Sequence, residues 1–268
     1  MNAARCVAVA VFRESVRDRV FYNLVLFAVL LVGASILIGQ LTAGQDVKII
    51  KDLGLAATSL FGLFIAIFVG ISLVSKEVDR RSVYPLIAKP IRRSEFIAGK
   101  YAGLLLTLLV NVVVMTVALY AVLFFLSRGV SPRLQQAWDA PALDPALLKA
   151  IALIYLNLAV VTAVAVFFST YSSPLLSAVF TLGIYLVGQF NADLRRFDLI
   201  VDSQAAVALA RACSYVLPDF GRFDVKLAVV HGVPVSDAYV LTTAAYAVAY
   251  IAALLFGAIV IFSKRDFK

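Results

Sequence analysis

Long apolar blocks separated by short polar ones dominate this chain. Six blocks reach the length of a membrane-crossing helix, about 17–25 residues, at 21–40, 53–74, 101–126, 147–170, 174–191 and 238–262. The fourth and fifth are almost one run, broken by "YSSP". Ser172 or Ser173 can cap a helix there, and Pro174 suits its first turn, where a missing N–H is no loss. A tight helical hairpin is expected. Ahead of the first block, Val9, Phe12, Val16 and Val20 recur at helical spacing with Arg13 and Arg17 on another face. Residues 1–20 therefore read either as an interfacial helix or as an extension of the first span.

Composition turns this pattern into a fold class. Of 268 residues 63% are hydrophobic and only 15% charged, against about 45–50% and 25% in soluble domains. A soluble protein of this size could not hide that excess, so the expected solvent is a bilayer. The expectation is an all-α integral membrane protein, a single transmembrane domain over residues 1–268 with six transmembrane helices. The N-terminus is not a secretory signal, because Arg13, Glu14, Arg17, Asp18 and Arg19 follow its short apolar run. Cys6 and Cys213 fall on opposite faces of the expected topology, which excludes a disulfide within one chain. His231 is the sole histidine, and no Cys/His spacing suggests a metal site.

Charge orients the layout. With six spans, residues 1–19, the 75–100 segment, the "YSSP" turn and the tail share one side. That side holds fourteen of the 24 basic residues and six acids, so it carries the whole net charge of +8. The positive-inside bias places both termini and residues 75–100 in the cytoplasm, at a bacterial-type inner membrane. Anionic lipid accounts for the basic excess without nucleic acid. Outside, Trp138 suits an interface. The long loop 192–237 contains "FDLIVDSQAAVALARACSYVLPDF", an amphipathic helix stopped by Pro218, with Ser236 capping the last span. Short helices lying in or dipping into the outer leaflet are expected, with a small external cap as the alternative.

The expected span cores hold no ionisable residue, which weighs against an autonomous pump or secondary carrier. No nucleophile–base pair or carboxylate pair suggests an enzyme; that reading would need Asp219, Asp224 and His231, and Asp219 after Pro218 is ordinary turn chemistry. Nothing fits a phosphate-binding G-x-x-x-x-G-K-[ST] loop. Asn111 and Asn157, near mid-span, suit either interhelical hydrogen bonding or the lining of a substrate path. Gly99 and Gly103 in "GKYAG" form a Gly-x-x-x-Gly that permits close helix packing.

The most charged segment is "SKEVDRRSVYPLIAKPIRRSEFIAGKY", residues 75–101. Ser82 can cap a short helix "VYPLIA" with Pro85 in its first turn. Val83, Leu86 and Ile87 share one face, and Lys89-Pro90 ends the helix. Ser94 caps the next helix, with Glu95 favourable in its first turn. Two turns are not stable alone in water. Lipid, the protein itself or a cytoplasmic partner must hold that face, flanked by Arg80, Arg81, Lys89, Arg92 and Arg93.

From Glu77 to Lys100 this segment resembles the loop between spans two and three of the type-two export permeases of ATP-binding-cassette (ABC) transporters. The family pattern is an acid, a small hydroxyl or Gly-Thr segment, then LxxxPxxRxExxxGK. Glu77, Ser82, Leu86, Pro90, Arg92 or Arg93, Glu95, Gly99 and Lys100 occupy those positions. Arg81-Ser82 stands where many members have Gly-Thr, and the tail "FSKRDF" is similar to the family's basic-aromatic ending.

The resemblance implies a permease subunit, not itself an enzyme, that exports cargo using ATP hydrolysed elsewhere. It implies a homodimer or pseudo-dimer of the permease with two copies of a separate P-loop ATPase, which bind the ATP and Mg. The short helix would be the coupling helix lodged in the ATPase, through Glu77, Arg80, Arg81, Ser82, Val83, Pro85, Leu86, Ile87, Pro90, Arg92, Arg93 and Glu95. The alternative is a membrane anchor or scaffold that recruits a cytoplasmic partner without transport.

Overall fold

A computed structural model describes residues 3–17, 19–40, 46–79, 93–130, 135, 138, 140–197 and 203–264. These residues are helical throughout their ordered elements, with no strand among them. α1 spans Ala3–Arg17, α2 Arg19–Gln40, α3 Asp46–Asp79 and α4 Arg93–Gly129. Next come α5 Ala146–Ser169, α6 Pro174–Gln189 and the short α7 Asn191–Arg195. α8 covers Gln204–Val216; a 3₁₀ turn Phe220–Phe223, α9 Lys226–Val230 and α10 Asp237–Lys264 complete the chain.

Among the described residues, four helices contain stretches long and apolar enough to cross a membrane: Asp46–Ile71, Ser94–Gly129, Ala146–Ser169 and Asp237–Ser263. They answer to the expected second, third, fourth and sixth spans. At the expected first and fifth, Leu24–Ala34 and Pro174–Gln189 are shorter apolar helices. α3 begins at Asp46 rather than near 53. It thereby takes Lys48, Lys51 and Asp52 into the helix. Ser173 occupies the cap of α6 with Pro174 in its first turn, but its side chain makes no capping bond. Ser94, expected as a cap, lies inside the first turn of α4. α8 ends at Val216, just before Leu217-Pro218.

α3 and α5 form the centre: 72% of each apolar window is buried, against 33% for α4 and 11% for α10. α4 turns Ile97, Tyr101, Leu104, Leu108, Met115, Leu119 and Leu123 inward, a stripe at three- and four-residue spacing. Its opposite face leaves Leu106, Val113, Val117 and Phe125 exposed. Two tyrosines cross-tie α4 and α5 reciprocally: Tyr101 Oη donates to the Ala159 carbonyl (3.1 Å), and Tyr155 Oη to the Leu105 carbonyl (3.2 Å).

The contacts fix which ends of the helices lie together. Ala4 meets Gly99, Phe262 stacks on Phe96 and Gly257 abuts Phe167. Both ends of the described chain therefore lie at the end of the bundle from which residues 80–92 depart. At the far end Lys51 Nζ donates to the Pro141 carbonyl (2.7 Å), and Lys149 pairs with Asp237 (2.6 Å).

Candidate functional site

The segment expected to engage a partner begins and ends on long helices. Glu77 lies in the last turn of α3, and Arg93 and Glu95 in the first turn of α4. Arg80, Arg81, Ser82, Val83, Pro85, Leu86, Ile87, Pro90 and Arg92 lie outside the described residues, as does the short helix expected there. What the structure does place is the footing on which the segment stands.

That footing is the first three turns of α4. A Cβ at Gly99 would lie 2.7 Å from the Ala4 carbonyl oxygen and 2.8 Å from Val7 Cβ. One at Gly103 would lie 2.6 Å from the Ala8 carbonyl oxygen and 2.7 Å from Val11 Cβ. Real Cβ atoms do not tolerate such distances, so glycine at both positions lets α1 lie directly on α4. The face of α1 used is Ala4, Val7, Ala8, Val11 and Ser15. It is not the Val9–Phe12–Val16 row, of which Val9 is exposed. Small residues at 4 and 8 allow the approach, so the tightest face wins over the most apolar one.

A second contact holds the same turns from α10. The Phe96 and Phe262 rings stack at 6.0 Å, and the Lys100 ammonium lies 4.6 Å from the Phe96 centroid. Lys100 is buried, where a ring face partly replaces lost hydration. The α5–α6 turn carries an aromatic cluster at this end. Phe168 lies 5.3 Å from Phe180, and Phe167 lies 5.6 Å from Tyr171. Burial raises the Tyr171 phenol above its ordinary range. The start of α4 thus touches α1, α5 and α10 directly.

Asn111 continues the inward stripe of α4 between Leu108 and Met115. It is fully buried, and neither its amide nitrogen nor its oxygen meets a partner among the described residues. Asn157, on α5, is buried with its oxygen likewise unpartnered. A dry unpaired amide costs about 1–3 kcal/mol, and buried native polar groups are rarely left so. Among the described residues, neither has an interhelical hydrogen bond.

The far end contains charge that the sequence pattern did not bring together. The side chain of Asp219 is nine-tenths buried; its Oδ2 accepts from Arg222 Nε (3.0 Å) and lies 3.7 Å from Arg195 Nη2. Asn191, fully buried, accepts from Arg195 Nε (3.1 Å) and donates to the carbonyls of Ser214 and Leu217. Arg222 also lies over the Tyr246 ring at 5.1 Å. Residues 191, 195, 219, 222 and 246 are too far apart in sequence for spacing to announce the cluster. The turn signal at Pro218-Asp219 was the only cue. Asp224 pairs with Lys226 (3.5 Å) instead, and His231 Nδ1 bonds its own helix at the Leu227 carbonyl. Asp219, Asp224 and His231 therefore share no ligand-binding or catalytic geometry, and no metal-holding group of three occurs among the described residues.

Residues 7–267 match the family model described as ABC-2 family transporter protein. No curated protein matches the chain at a significant level.

Proposed function

This chain belongs to the ABC-2 family of transporter proteins, and from that premise we propose that it is the membrane-spanning permease subunit of an ATP-driven exporter. α2 and α6 supply the first and fifth of six spans, and both termini and residues 75–100 face the cytoplasm of the inner membrane. ATP and Mg are bound by two copies of a separate P-loop ATPase, and the permease works as a homodimer or pseudo-dimer. The ATPase docks on the 75–100 segment through Glu77, Arg80, Arg81, Ser82, Val83, Pro85, Leu86, Ile87, Pro90, Arg92, Arg93 and Glu95.

The observation that carries this reading is the construction of α4. The helix that leaves the docking segment runs unbroken for 37 residues. Its first turns are gripped by α1 and α10, while its middle is packed against α3 and α5. A rigid helix of that length converts displacement of the docking segment into rocking of the bundle. Packed interfaces switch between arrangements rather than deform continuously. Family membership supports the remainder, since the chain's own motifs include no nucleotide-binding loop.

The test is co-purification and reconstitution with the ATPase encoded beside it. Arg81→Glu is expected to abolish ATPase association or uncouple hydrolysis from cargo movement while leaving the permease folded. A permease that binds no such ATPase, or one whose Arg81→Glu variant transports normally, would defeat the proposal. ATP-dependent movement of any cargo eliminates the non-transporting scaffold.

A further inference from the structure

The chain from 216 to 222 climbs the side of α10 on three tyrosine rungs. Tyr250 Oη donates to the Val216 carbonyl, Tyr246 Oη accepts from the Asp219 N–H (2.9 Å), and Tyr239 Oη donates to the Arg222 carbonyl (2.7 Å). Tyr246, which holds Asp219, lies nine residues beyond Asp237, the start of α10, or about 13 Å along it at 1.5 Å per residue. Tyr239, which holds the Arg222 backbone, lies two residues beyond it. α10 has 28 residues, about 42 Å, which covers a hydrocarbon core of about 30 Å and some 6 Å of headgroup layer at each end. The Arg222 side chain therefore runs along α10 from the level of Tyr239 toward that of Tyr246, where it meets the Asp219 carboxylate.

Two guanidinium groups share one carboxylate there, and in fact one oxygen of it. Their side chains remain 45% exposed, while that of Asp219 is only 10% exposed. Among the described residues, one unit of positive charge stays uncompensated. Asp224 is paired with Lys226. Exposed Asp193, two residues from Arg195, makes no ion pair with either arginine among the described residues. Arg222 uses only Nε toward Asp219, so neither of its terminal nitrogens has a partner among the described residues. Asn191 fixes the plane of Arg195 and the Tyr246 ring that of Arg222.

We propose that Arg195 and Arg222 together hold a phosphate-type oxyanion at the far end of the bundle, with Asp219 as the internal anchor that aims both guanidiniums. Phosphate oxygens suit planar N–H forks. A phosphodiester headgroup and a free phosphate share this chemistry. The site is independent of export: it is read on the purified permease with no ATPase present.

The experiment is native mass spectrometry of the detergent-purified full chain with phosphatidylglycerol, phosphatidylcholine and inorganic phosphate. One phosphatidylglycerol is expected to be retained per chain in preference to phosphatidylcholine. Affinity should fall about tenfold in Arg195→Gln or Arg222→Gln and further in the double variant. Asp219→Asn, which removes the competing negative charge but keeps an oxygen to hold both guanidiniums, should retain or tighten binding, which a purely internal ion pair would not do. Thermal midpoints of all variants identify any that misfold; Arg195→Lys/Arg222→Lys supplies a folded, charge-matched comparison with weaker binding. Displacement by inorganic phosphate assigns the site to soluble phosphates, and resistance to it assigns the site to headgroups. No retained anion, or retention equal in the folded double variant, overturns the proposal.

Discussion

Gly103 of α4 lies against Ala8 of α1 with no room for a side chain: a Cβ there would sit 2.6 Å from the Ala8 carbonyl oxygen. That contact makes α1 part of the bundle, and it lies one turn beyond Gly99 and its contact with Ala4. Gly103→Leu should cost about 1–3 kcal/mol, the usual penalty for overpacking, and should lift α1 from α4. A lower thermal midpoint in detergent, with weaker stimulation of ATPase activity by the reconstituted permease, is the expected pair of readouts. Gly183→Ala on α6, where nothing stands within 4 Å of an added Cβ, provides the contrast, with a change within about 1 kcal/mol.

Asn111 presents the opposite situation, a polar group where an apolar one would fit. Leucine has the same branching and heavy-atom count, so Asn111→Leu should raise stability by about 1–2 kcal/mol by removing an unpaired buried amide. Thermal unfolding of the purified protein measures this. A fall in the midpoint would show that the amide is satisfied after all. Loss of cargo movement in the more stable variant would assign Asn111 to the substrate path.

The tyrosine rungs make a local prediction. Tyr246→Phe removes the acceptor of the Asp219 N–H and Tyr250→Phe the donor to the Val216 carbonyl, each about 1 kcal/mol. Amide exchange should accelerate in residues 214–222 while α3 and α5 stay protected. Uniform acceleration across all helices would mean that this segment does not open separately.

Lys149 should matter little by comparison. Its bond to Asp237 is short, but the two side chains are 35% and 90% exposed. Exposed pairs of this kind contribute about 0–1 kcal/mol. Lys149→Ala is therefore expected to shift the thermal midpoint by no more than a degree or two, and less still in high salt. A larger loss would point to its second bond, to the Val235 carbonyl, as the true fastening between α5 and α10.

How much of this was readable without coordinates depends on the range of the interaction. The helices, their order and the stop of α8 before Pro218 follow from apolar run length and proline geometry, which act over a few residues. The Gly-x-x-x-Gly at 99 and 103 was equally visible as a motif. That α1 is the partner was not, because an apolar stripe attracts attention and Ala4/Ala8 are merely small. The early start of α3 was missed for a related reason. Lys48, Lys51 and Asp52 look like a polar boundary until the Pro141 carbonyl, 90 residues away, satisfies the buried ammonium.

The sequence by itself determined that this is an all-helical chain suited to lipid, with one short charged segment between long apolar helices, since the hydrophobic effect and backbone hydrogen bonding dictate that much from local pattern. Only the tertiary structure decided which helices are central, that Asn111 is buried without a partner among the described residues, and that Arg195, Asp219 and Arg222 meet. Those outcomes depend on closing long loops and on shape fit between distant surfaces, and no short window of residues encodes either.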